Sequence, residues 1–168
     1  MNRKVFLSQF SMAASTTLFI QSSLFSQTNP KPDPLPAEKV KAFVGAGHND
    51  LGKVKSLLAE FPSLLYATWD WGGGDFETAL EGAGHVGTKD VANFLIETGA
   101  RTNLFVLTML GKTQLVKAWL ETYPQCINAK GPHGFSLLHH ANRGGEDAKE
   151  LVDYLQSKGL KETKFSIS

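Results

Sequence analysis

Apolar residues in this chain recur in a helical rhythm from about residue 37 to residue 160. Val54, Leu57, Leu58 and Phe61 make one stripe, and Val116, Trp119, Leu120 and Tyr123 make a second with the same spacing. Positions i, i+3, i+4 and i+7 share one face of a 3.6-residue turn, so each stripe predicts an amphipathic helix packed on a core. Val91 with Phe94-Leu95 and Leu151 with Tyr154-Leu155 give two shorter copies.

The four copies predict an internal repeat. The spacings between Val54, Val91, Val116 and Leu151 are 37, 25 and 35 residues, and the short middle one predicts a trimmed connection around residues 101–104. Phe61-Pro62-Ser63-Leu64-Leu65-Tyr66-Ala67 matches Tyr123-Pro124-Gln125-Cys126-Ile127-Asn128-Ala129, so two of the helices end at a proline. The other two end at Gly99 and Gly159, where a residue without Cβ can take a left-handed cap. Second helices are expected at about 50–60, 88–97, 113–122 and 146–157, and first helices at about 37–46, 77–83, 104–110 and 136–142.

Gly134-Phe135-Ser136-Leu137-Leu138-His139-His140-Ala141 has the form Gly-x-Ser/Thr-x-Leu-His-x-Ala, which resembles the opening of the first helix of an ankyrin repeat. Thr78-Ala79-Leu80 and Ala83-Gly84-His85 fit the same pattern, with Glu81 where the family has histidine. Gly99-Ala100-Arg101-Thr102-Asn103 is similar to the family's Gly-Ala-Asp-x-Asn turn, with Arg101 in place of aspartate. The resemblance implies an all-α fold, an ankyrin-repeat solenoid of about four stacked helix-turn-helix repeats over residues 37–160. Each helix pair hides the apolar flank of its neighbour, and charged residues cover the two ends: Glu38, Lys39 and Lys41 at one, Lys149, Glu150, Asp153 and Lys158 at the other.

Residues 1–26 read as a secretory signal peptide. Arg3 and Lys4 precede a stretch free of charge from Val5 to Phe25, with Ser26 at a cleavage position. Asn2-Arg3-Lys4-Val5-Phe6-Leu7 resembles a twin-arginine export motif in which Lys4 replaces the second arginine, so that route and the general secretory route both stay open. Many Ser, Thr and Gln residues dilute the apolar run, which argues for removal rather than stable membrane insertion. Removal would turn the formal charge from +1 to −1 and leave a periplasmic or secreted protein. Pro30, Pro32, Pro34 and Pro36 make residues 27–36 an extended linker, and residues 161–168 are expected as a C-terminal tail.

Composition narrows the function further. A formal charge near zero, with no basic run among aromatics, excludes the footprint of a nucleic-acid-binding protein. The single cysteine, Cys126, permits neither an intrachain disulfide nor a thiolate metal cage, and reads as a small apolar filler.

The ankyrin resemblance implies a non-catalytic, monomeric scaffold that binds a protein partner through its repeat tips. One tip carries Trp69, Asp70, Trp71, Asp75 and Phe76 around Gly72-Gly73-Gly74, and the other carries Lys130, Pro132 and His133. Trp71 is expected to be exposed, as is His133, whereas Trp69 either faces outward or folds back on the helices. Large rigid rings on such a loop suit a recognition surface.

No catalytic residue, metal ligand or cofactor is assigned. His139 and its neighbour His140 point about 100° apart on a helix, and the resemblance gives His139 a structural task. His48 and His85 occupy equivalent places in two repeats and read as a repeated structural part. The triple glycine lacks the Gly-Lys-Ser/Thr of a phosphate loop, and no Gly-x-Ser-x-Gly or His-Glu-x-x-His occurs. Two alternatives remain: a small metal- or ligand-dependent enzyme using Asp70, Asp75, Glu77 and His85, whose acidic groups crowd beside the first tip, and a chaperone-like companion of an exported enzyme.

Overall fold

In a computed structural model of the chain, residues 31–167 are described. The segment expected as a signal peptide lies outside them. Contacts divide the chain between Asp33 and Pro34, and the fold below is that of the unit from Pro34 onward.

That unit is mostly helical, with eight α-helices among the described residues: α1 (Ala37–Gly47), α2 (Leu51–Glu60), α3 (Ala79–Val86), α4 (Lys89–Glu97), α5 (Leu104–Met109), α6 (Thr113–Thr122), α7 (Leu137–Gly144) and α8 (Lys149–Ser157). Consecutive helices pack in pairs, and α1, α3, α5 and α7 touch in sequence to form a row. Within the row, α7 and the turn before it also contact α3 directly.

Side-chain caps start several helices. Asp50 accepts from the Lys53 N–H, Asn103 from that of Val106 and Ser136 from that of His139, while Thr78 and Glu81 form a reciprocal capping box at α3. Gly99 and Gly159 both take positive φ after their helices, as the left-handed caps require. Leu58, Leu95, Leu120 and Leu155 are all buried, with Val54, Val91, Val116 and Leu151 beside them. Two apolar clusters result, and α5 joins them by giving Val106 and Met109 to one and Leu104 to the other.

Two expectations need correction. Trp119 and Tyr123 do not face the core; they are 45% and 51% exposed and lean on each other with ring centroids 6.2 Å apart. Val116 and Leu120 are the buried residues of α6; Trp119 sits at the edge of that face, and Tyr123 lies past the end of the helix as its C-cap, out of the helical register. The first tip is also not a plain loop: β1 (Thr68–Asp70) pairs antiparallel with β2 (Phe76–Thr78), Trp69 opposite Glu77. Asp70 folds the turn between them by accepting from the N–H groups of Gly72 and Gly74 at 2.8 and 3.2 Å.

The last residues are tied down. Phe165 donates its N–H to Gly134 O, Ser136 donates its N–H to Thr163 O, and Lys164 forms a bridge with Phe135. The tail thereby braces the turn that carries His133.

Candidate metal centre

Three histidines and one glutamate converge at one end of the helix row. His48 follows the last turn of α1, His85 lies in the last turn of α3, Glu77 is the middle residue of β2, and His133 occupies the turn before α7. One ligand atom from each lies within 4.8 Å of all the others.

The distances among them are short, and only the contact between His85 Nε2 and His48 Nε2 is aligned as a hydrogen bond. His85 Nε2 is 2.8 Å from Glu77 Oε1 and 3.1 Å from His48 Nε2. His133 Nε2 is 3.5 Å from Glu77 Oε1, and His48 Nε2 is 3.5 Å from Glu77 Oε2. Glu77 is fully buried, yet its Oε1 makes no aligned hydrogen bond; its Oε2 accepts from the Trp71 indole N–H at 2.7 Å. A buried carboxylate is costly unless paired or bound to a cation, so the orphaned oxygen is informative.

Outer partners set which ring nitrogen faces inward. His48 Nδ1 lies 3.2 and 3.1 Å from the carbonyls of Val44 and Gly45, which can only accept, so Nδ1 donates and Nε2 turns its lone pair to the cluster. His133 Nδ1 lies 2.6 Å from Asp75 Oδ2, with the same result. This carboxylate–histidine pairing is the usual support of a metal-bound imidazole. Asp75 Oδ1 also accepts the His133 backbone N–H at 2.8 Å. Burial raises the Asp75 pKa, but the two bonds from His133 and the charge of Lys164 outweigh the effect and hold it below the usual 3.8.

The backbone serves the same geometry. His133 has φ 58, a left-handed conformation uncommon outside glycine, which points its ring back across the first tip. His85 is flanked by Phe135, with centroids 5.2 Å apart, and Phe135 in turn stacks on His139 at 3.9 Å. His139 Nε2 pairs with His85 O at 2.9 Å, so its structural task is to tie α7 to α3.

The residues singled out in the sequence are redistributed accordingly. Asp75, Trp71 and His133, expected on two separate tips, meet in this cluster, and His133 is half-buried rather than exposed because Asp75 holds it. Pro132 is buried; Trp69 is half-buried with Lys41 Nζ 5.6 Å above its ring. Trp71 and Phe76 are exposed, at 39% and 59%, as are Asp70 and Lys130, whose Nζ donates to Ser166 O. Of the acidic set weighed for an enzyme, Glu77 and His85 are in the cluster, Asp75 stands behind it, and Asp70 is spent on its turn.

His48 and His133 were missed as ligands. The signal for His48 was present: Gly47-His48 and Gly84-His85 are the same dipeptide, and they stand at the ends of α1 and α3, which pack against each other. Among the described residues this is the group of histidines and carboxylates that could hold a metal. No family model matches the chain, and no curated protein matches it.

Proposed function

We propose that this protein is a helical-repeat module that binds one divalent first-row transition-metal ion, with zinc the ion best matched to its donors. The observation that carries this reading is the convergence of three imidazole nitrogens and one buried carboxylate oxygen, two of the imidazoles already oriented by acceptors on their far side. Imidazole with carboxylate suits zinc and its neighbours in the series, and hard cations such as calcium and magnesium prefer oxygen donors. The ion would cross-link the ends of α1 and α3, the hairpin and the turn before α7. Its binding energy would then add to folding stability.

Metal analysis of the purified chain tests the proposal. One ion per chain should survive dialysis, a strong chelator should lower the melting temperature, and His48→Ala should bind the ion less tightly while keeping its helical spectrum. A chain that takes up no zinc, cobalt, nickel, copper or iron, and whose melting temperature none of them moves, would sink it.

A second reading is the non-catalytic, ankyrin-like scaffold for a protein partner, acting outside the cytoplasm. It is favoured by Leu115, Trp119 and Tyr123, which leave one outer helix with rings and a branched chain 59%, 45% and 51% exposed. Recovery of the same partners by the wild type and by a Trp119→Ala, Tyr123→Ala variant would count against that surface.

A further inference from the structure

We propose that the ion in this cluster keeps one coordination position toward solvent, beneath the indole of Trp71, and that a small monodentate anion occupies it. This rests on the metal reading above. The four ligands divide by exposure: the side chains of Glu77 and His85, 0% and 10% exposed, make a closed floor, while those of His48 and His133, 23% and 25% exposed, make two walls that reach solvent.

Trp71 lies across those walls. Its ring centroid is 6.3 Å from that of His48 and 6.4 Å from that of His133, edge-on to the first and tilted to the second. Its N–H engages Glu77 Oε2 and leaves Oε1, which has no aligned partner, to face the ion. A carboxylate bound through one oxygen fills one position, so the protein supplies four. Ions of this class adopt coordination numbers from four to about six, and a fifth ligand can enter only on the solvent side because protein closes the floor.

Charge selects the ligand. A dication with one carboxylate and three neutral imidazoles keeps a single positive charge among its own ligands; the Asp75 carboxylate stands behind His133 and has Lys164 as its counter-charge. A monovalent anion neutralises what remains, hydroxide from bound water included. Solvent reaches this side of the cluster, since Trp71 is itself 39% exposed and the turn Gly72–Gly74 beside it is exposed.

The test is cobalt(II) loaded into the full chain, titrated with azide and followed by visible absorption. The expected result is one cobalt per chain, bands of the modest intensity of a five-coordinate ion, and a saturable shift with azide. Trp71→Phe, which keeps a ring in the roof but loses the N–H, should still bind cobalt and change the azide affinity by about tenfold, the scale of outer-partner effects. Intense four-coordinate bands indifferent to azide would overturn the inference and leave the metal reading standing. So would azide that strips the cobalt from the protein. A chain that binds neither cobalt nor zinc takes down both.

Discussion

Replacing Asp75 by asparagine alters one atom and separates a metal ligand from an ordinary turn residue. In the native chain Asp75 accepts twice from His133, at 2.8 Å from the backbone N–H and at 2.6 Å from ring Nδ1. The asparagine side chain would keep one acceptor oxygen, and the backbone N–H would claim it. The amide NH2 would then face His133 Nδ1, which must become an acceptor to avoid opposing two donors. That moves the ring proton to Nε2, the nitrogen aimed at Glu77 and the proposed ion, and a protonated nitrogen cannot coordinate. The third imidazole is lost or the ring must flip, so metal affinity should fall by about 10- to 100-fold, or about 1.4–2.8 kcal/mol. Competition between the protein and a chromophoric chelator for zinc reads this directly, with Asp70→Asn as control because Asp70 bonds only its own turn. Equal zinc affinity for Asp75→Asn and wild type, with both folded, would refute the assignment of Asp75 as the support of a ligand.

Two further predictions concern the scaffold. His140 is fully buried, and desolvation lowers its pKa from 6.5 to about 4, against the bond from its Nδ1 to Ser136 O. The unfolded chain therefore binds the extra proton first, and stability present above about pH 6.5 is lost as pH falls toward about 4, by roughly 3 kcal/mol if the whole shift is expressed. Urea unfolding of metal-stripped protein across that range should show the loss in the wild type and a smaller one in His140→Phe; identical slopes would disprove it. Gly47 packs where α1 crosses α3, and a Cβ there would run into the backbone of Ala79. Gly47→Ala should cost about 1–3 kcal/mol in chemical denaturation and, by moving the adjacent His48 away from His85, weaken metal binding as well.

Helix positions were legible because they depend on local rules. The i, i+3, i+4 stripes and the Pro and Gly stops place α2 at 51–60 and α6 at 113–122, within a residue or so of where the spacing puts them. The four marker leucines are inside for the same reason. Trp119 and Tyr123 show the limit of the method. Apolar character at the edge of a stripe does not say whether a neighbour exists to cover it, and α6 is an outer helix whose inward face Val116 and Leu120 already fill.

The metal cluster was only half legible, and the missing half comes from tertiary geometry. The pairing of His48 with His85 follows from their places at the ends of α1 and α3, two helices that pack against each other. His133 lies just before α7 and Glu77 just before α3, with four helices between them in the sequence. The connection between α4 and α5 is short: α4 ends at Glu97, α5 begins at Leu104, and Asn103 both caps α5 and bonds Glu81 at 2.7 Å. The short spacing between Val91 and Val116 is the trace of that short connection in the sequence. With nothing interposed, the turn before α7 reaches α3, and Asp75 of one tip can hold His133 of the other. The short α4–α5 connection, more than the regular pairing of helices, is what allows four distant residues to share a site.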